Sequence, residues 1–154
     1  TVPPDYTPAQ TVETLARRKG EAVLPLRPEK PIIAADSVVS IDGLILGKPK
    51  DDEAAKDTLR RLSGRTHEIF TGVCLLANGK RDVFHMSTQV KFYPLTEEEI
   101  AEYVAMGESQ GRAGAYGIEG IGVVLVESIC GDYSNIVGLP VAETIRRLHR
   151  LLAR

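Results

Sequence analysis

Asp36 is the residue whose charge has the least local support. It stands in the run Ile32-Ile33-Ala34-Ala35-Asp36-Ser37-Val38-Val39, where an ionised carboxylate is costly unless it is paired or meets a cation. An acid so placed is either a structural acceptor of backbone or arginine hydrogen bonds, or a metal ligand or general base. Two basic groups have phosphate-binding settings. Lys48 lies in Gly47-Lys48-Pro49, a point charge between a residue that allows close backbone approach and one that stiffens the exit. Its plain alternative is a solvated lysine. Arg65, in Ser63-Gly64-Arg65-Thr66-His67, either serves the last carbonyls of a helix or grips phosphate with two prongs. Arg112 belongs with Glu119 to the stretch from Gly107 to Gly122, which holds six of the fourteen glycines, Gly107, Gly111, Gly114, Gly117, Gly120 and Gly122. Such density implies a backbone that approaches something closely, and the embedded Ala113, Tyr116 and Ile118 argue against mere flexibility. His67 reads as a structural hydrogen-bonding partner. His85 and His149 are isolated, and no Cys/His spacing resembles a zinc site.

The elements that must position these groups are legible from caps and turns. Thr7-Pro8-Ala9-Gln10 opens a helix with a capping box and a proline in its first turn, running to Pro25. Ile32 to Ile41 is a strand, Asp42-Gly43 a hairpin turn, and Leu44 to Leu46 the return, which brings Lys48 back toward the Asp36 end. Asp51 or Asp52 caps a helix to Leu62, with Gly64 past its end. Strands are expected from Glu68 to Ala77 and Asp82 to Tyr93, joined by Asn78-Gly79. Thr96 and Glu99 form a second capping box for a helix to Met106. Val123 to Ile129 is expected as a strand and Tyr133 to Pro140 as a loop. The loop leads to a helix from Val141 to about Ala153, with Ile145, Leu148 and Leu152 inward. Hairpins mixed with crossovers imply an α/β fold with a mixed sheet.

Bulk properties bound the function. The 154 residues suit one domain, 43% apolar and 26% charged. A net charge of −2 gives no bulk pull toward nucleic acid or an anionic membrane. The apolar runs are too short to span a bilayer. No signal peptide is visible, and the first residue is Thr rather than Met. Cys74 and Cys130, both in apolar strand-like runs, read as buried reduced thiols of a cytoplasmic protein.

Taken together, five segments resemble the Maf family. They are Ala35-Asp36-Ser37-Val38-Val39, Gly47-Lys48-Pro49, Ser63-Gly64-Arg65-Thr66-His67, Ala113-Gly114-Ala115-Tyr116-Gly117-Ile118-Glu119-Gly120 and Tyr133-Ser134-Asn135-Ile136-Val137-Gly138-Leu139-Pro140. Leu15-Ala16-Arg17-Arg18-Lys19 resembles that family's Leu-Ala-x-x-Lys segment. The resemblance implies an elongated fold like the inosine-triphosphate pyrophosphatases, with a cleft between two lobes. It also implies hydrolysis of a nucleoside triphosphate to monophosphate and pyrophosphate with a divalent cation, Mg2+ or Mn2+. By carry-over Asp36 activates water or binds the metal, Lys19 and Lys48 hold the triphosphate, and Arg65 occupies the Ser-Gly-Arg turn. The Ala-Tyr-Gly-Ile segment favours the dTTP/UTP branch, with normal or modified pyrimidine triphosphates as substrates. A homodimer is compatible with this reading, and the rival role is a nucleotide-binding regulator of cell division without turnover.

Three departures shape the expectations. The family's N-terminal strand and Ser-x-Ser-Pro-Arg-Arg loop have no counterpart upstream of Thr1, so a chain starting there is expected to be poorly active. The usual Asp-Lys before Ala-Gly-Ala-Tyr-Gly is Gly111-Arg112, which keeps the charge and changes its geometry. Ser37 and Glu119 stand where that branch usually has Thr and Gln. Glu119 either reads the base, with acceptors only where Gln has both donor and acceptor, or pairs with Arg112.

Overall fold

The capping box at Thr7 forms as read: Thr7 N donates to Gln10 Oε1 (2.8 Å) and Gln10 N to Thr7 Oγ1 (3.1 Å). The helix it starts is α1 (Pro8–Val23). The structure, a computed structural model, describes residues 1–153. After α1 come β1 (Ile32–Ile41), β2 (Leu44–Leu46), α2 (Asp52–Leu62), β3 (Thr66–Ala77), β4 (Lys80–Phe92) and α3 (Glu97–Ala105). Then follow β5 (Val126–Cys130), α4 (Tyr133–Val137) and α5 (Val141–Leu152). The α/β class is as expected. The strands form one sheet in the order β2-β1-β3-β4-β5. β1 and β2 are antiparallel with Val39 opposite Leu46, and β4 and β5 are antiparallel with Val90 opposite Ile129. Both two-residue turns have positive φ at each position, Asp42 and Gly43 (54° and 76°) and Asn78 and Gly79 (53° and 70°), as their hairpins require.

The chain divides into two compact units. The first comprises Thr1–Ser37, Phe70–Ser87 and Asp132–Arg154, the second Val38–Ile69 and Thr88–Gly131. In the first unit, alternation along the strands decides what each face meets. Ile32, Ala34, Cys74 and Leu76 bury against Ala16 of α1. Val73, Leu75 and Phe84 bury against Leu148 and Leu151 of α5. The α1 seat is unusually close: a Cβ on Gly72 would lie 2.2 Å from the Val12 carbonyl oxygen. In the second unit, α2 and α3 are in contact, and His67, Phe92 and Tyr116 meet edge to face, with ring centroids 4.8–5.4 Å apart.

Several expectations are corrected. The strand expected from Val123 starts at Val126. Ile121–Leu125 is instead a 3-10 turn, with Val123 N donating to Gly120 O (3.3 Å). The expected loop at Tyr133 to Pro140 contains α4, capped by Asp132, whose carboxylate accepts from Ser134 N (2.8 Å). Ile145 and Leu152 are exposed (42% and 41%), and only Leu148 of the three expected residues turns inward. The inward stripe of α5 runs instead through the buried Thr144 and the partly buried Leu148 and Leu151, with Arg147 lying 4.1 Å over the Phe84 ring and bonded to Asp82 (3.1 Å). Cys74 is buried, but Cys130 at the end of β5 is exposed.

Gly72→Ala tests the α1 seat. The added methyl has to move backbone rather than a flexible side chain, a change that costs about 1–3 kcal/mol or more. At roughly 2–4 °C per kcal/mol for a chain of this size, the thermal midpoint falls by several degrees. An unchanged midpoint would mean that α1 is free to shift.

Candidate active site

Asp36 is carried on the face of β1 that α1 covers, and α1 brings Lys19 to it. Lys19 Nζ donates to Asp36 Oδ1 at 2.5 Å and to the Ala35 carbonyl at 3.3 Å. The Asp36 side chain is 20% exposed and that of Lys19 55%. The acid inside the apolar strand therefore meets its cation in the protein itself. Its Oδ2 has no hydrogen-bond partner among the described residues. No cluster of three or more His, Cys, Asp or Glu among the described residues forms a ready metal cage. This donor set fits a divalent cation of the Mg2+ type in one way, as a single carboxylate ligand whose other ligands are water and phosphate oxygens.

Ser37 follows Asp36 and so points to the opposite face. There Thr71 Oγ1 donates to the Asn135 carbonyl (3.0 Å), and Ser37 Oγ lies 2.7 Å from Thr71 Oγ1. Thr71 has spent its one proton, so Ser37 is the donor. Asn135, fully buried on α4, in turn donates from Nδ2 to the Met86 carbonyl (3.3 Å). Ser37 is thus tied to the strand that seats α4.

The remaining candidates lie in the second unit. Arg65 Nη2 donates to Asp42 Oδ1 (2.6 Å), which joins the Ser-Gly-Arg turn to the β1–β2 hairpin. Lys48 is exposed and makes no ion pair among the described residues. Arg112 pairs with Glu119 across the Gly-rich stretch. Of the two roles open to Glu119, the pairing is the one the structure contains. Hydrogen bonding to Glu119 pushes the Arg112 guanidinium further up from its ordinary value. Burial works to raise Glu119, but its own backbone N–H and Arg112 outweigh it and hold the carboxyl below the usual range. Arg112 lies so close to Gly117 that a Cβ there would fall 2.4 Å from Nη1.

A family model described as "Maf-like protein" matches residues 1–151. The chain belongs to that family. It is 44% identical over 144 residues to a dTTP/UTP pyrophosphatase of Bacillus pumilus, with 94% of the chain and 76% of the relative covered. A dTTP/UTP pyrophosphatase of a Geobacillus species is 47% identical over 145 residues, covering 94% and 78%. One of Bacillus cytotoxicus is 46% identical over 142 residues, covering 92% and 74%. Two residues of this Maf-like chain have site-building roles that the sequence signals do not mark. Asp42 reads as a turn residue and holds Arg65. Glu108 reads as the first residue after a helix stop, yet it bonds the far end of the Gly-rich stretch.

His67 anchors that stretch through Tyr116, with Nε2 and the hydroxyl 2.7 Å apart. Burial pushes His67 down from 6.5 to about 4. The unfolded chain takes up the proton near 6.5 and the folded one only near 4. Stability is therefore intact above about pH 6.5, declines as pH falls from there to about 4, and declines no further through this group below that. The full effect is on the order of 3 kcal/mol. Against His67→Gln, the unfolding free energy of the wild-type chain should fall more steeply over that window, since the carboxylates are common to both. Parallel curves would show that His67 is not held neutral.

Proposed function

We propose that this Maf-like chain hydrolyses a pyrimidine nucleoside triphosphate, with dTTP and UTP as the reference substrates, to the monophosphate and pyrophosphate. One observation carries the reading: an acid within an apolar strand, held by Lys19 Nζ at 2.5 Å on one oxygen and open on the other. Relatives 44–47% identical and named dTTP/UTP pyrophosphatases support it.

In this reading water attacks the α-phosphorus, the bond to the bridging oxygen breaks, and pyrophosphate departs with the charge. Catalysis then rests on cations that meet that charge as it develops. Lys19 stands beside Asp36 and turns from carboxylate to phosphate when the triphosphate enters. Lys48, in the second unit, is an exposed cation with no carboxylate partner of its own among the described residues, a group suited to phosphate. Within the second unit, Arg65 keeps the hairpin turn in place through Asp42 and has N–H donors beyond that pair. Asp36 orients the attacking water and takes its proton. A bound Mg2+ or Mn2+ would add charge neutralisation and a lowered water pKa at the Asp36 carboxylate. The finer part of the reading concerns the base. Glu119 reads the base while keeping its pair with Arg112 on Oε1: its ionised carboxylate offers only acceptors, which suit bases with amino donors better than the carbonyls of uracil or thymine. The base preference is accordingly broader than in a chain with Gln there.

A panel of UTP, dTTP, CTP and GTP with Mg2+, scored for released pyrophosphate, tests both levels. The wild-type chain should release pyrophosphate above a protein-free blank, at however low a rate. Asp36→Asn should keep the fold and lose turnover by about two orders of magnitude or more, the scale of a lost general base. Glu119→Gln should move the ratio of kcat/KM values toward dTTP and UTP. Near-normal turnover in folded Asp36→Asn would remove Asp36 from the mechanism, and an unchanged ratio would show that Glu119 does not read the base.

A further inference from the structure

Glu108 follows the helix stop at Gly107, whose φ of 81° turns the chain back on itself. Its half-buried carboxylate then collects the far end of the stretch it opens. Oε1 accepts from the Tyr103 hydroxyl (2.5 Å) and from Gly122 N (2.9 Å), and Oε2 accepts from Ile121 N (3.0 Å). The Tyr103 hydroxyl itself accepts from Gly117 N (3.1 Å). The backbone crowds in as only glycine allows. A Cβ on Gly120 would lie 2.4 Å from Glu108 Oε2, and one on Gly122 would lie 2.9 Å from the Tyr103 hydroxyl oxygen.

The protonation states match these roles. Burial works to raise Glu108, but the Tyr103 hydroxyl, the Gly122 and Ile121 N–H groups and the Arg112 charge hold it below the usual carboxylate range. An ionised carboxylate is acceptor-only, as three donors require. Burial and then the bond to Glu108 push the Tyr103 hydroxyl well above its ordinary value, so it remains a donor. From there the contacts lead onward. Tyr103 fixes Gly117, Gly117 is the floor beneath the Arg112 guanidinium, and Arg112 pairs with Glu119.

We propose that Glu108 is the positioning residue of the Gly-rich stretch: through Tyr103, Gly117, Ile121 and Gly122 it sets where Arg112 and Glu119 stand, and so sets affinity for substrate without touching it. The kinetic consequence rests on the pyrophosphatase reading, whereas the positioning itself does not. A residue that only stabilised the fold would lower the melting point and leave KM alone.

Glu108→Gln and Glu108→Ala in the full chain, followed by amide hydrogen exchange and steady-state kinetics, test this. Glu108→Gln retains one acceptor oxygen but sets its NH2 against an N–H donor. The Gly117, Ile121 and Gly122 amides should exchange about tenfold faster or more in both variants, the scale of one lost charge-assisted hydrogen bond. KM for UTP should rise by a similar factor while kcat changes severalfold less. Should Glu108→Ala fail to fold, Glu108→Gln carries the test. Unchanged exchange at these amides overturns the proposal, as does faster exchange with an unchanged KM. If the wild-type chain releases no pyrophosphate from any triphosphate, the enzymatic reading fails, and the exchange rates alone decide whether Glu108 holds the stretch.

Discussion

The contact between Lys19 and Asp36 is the constraint that the rest of the first unit serves. A carboxylate within an apolar strand loses part of its solvation unless a cation meets it, and here both partners keep some contact with solvent. Lys19 can do so only if α1 lies at a fixed depth and rotation on β1 and β3. That depth is set by Gly72, which lets the Val12 carbonyl close in, and by the buried Ala16 and Gly20 on the same face. The capping box at Thr7 fixes where the helix begins, and so which residue stands in the Lys19 position. Helix cap, glycine seat and ion pair are one chain of cause from sequence to a poised acid.

The second unit solves a different problem, that of holding many glycines still. Glycine loses more conformational freedom on ordering than any other residue. The stretch after α3 counters that loss with hydrogen bonds to Glu108 and Tyr103, with the buried ring contacts of Tyr116, and with the Arg112–Glu119 pair. Ala115 sits at φ 67°, a left-handed conformation that costs a non-glycine residue about 1–2 kcal/mol. Surroundings that keep such a residue in place make a rigid element out of what composition alone describes as a loop.

What could be read from the sequence was what local chemistry decides. The caps at Thr7, Asp51 and Thr96 and the turns at Asp42-Gly43 and Asn78-Gly79 all rest on residues a few positions apart, and each is where it was expected. The misreadings share a cause. Ile121–Leu125 has strand-like residues, but Glu108 takes up the Ile121 and Gly122 amides and bends the segment into a 3-10 turn. α4 has the polar composition of a loop, and its helix depends on Asp132 at one end and Gly138, at φ 135°, at the other. The face of α5 is rotated by a residue because Arg147 finds Asp82 and Phe84 on β4, partners no periodicity reveals. Asp36 declared itself by being in the wrong company. Lys19 was named only through the family resemblance, because nothing on α1 marks one lysine from its neighbours.

In the proposed function, Lys19 and Asp36 act as one catalytic unit rather than as a structural ion pair. A double-mutant cycle of Lys19→Met, Asp36→Asn and the double variant, read both as unfolding free energy and as kcat/KM for UTP, separates the two. As a half-exposed pair its coupling in stability should stay within about 0.2–1 kcal/mol. In turnover the second substitution should cost far less than the first, because either one alone disables the unit. Fully additive losses in kcat/KM, or strong coupling in stability with none in turnover, would contradict the account.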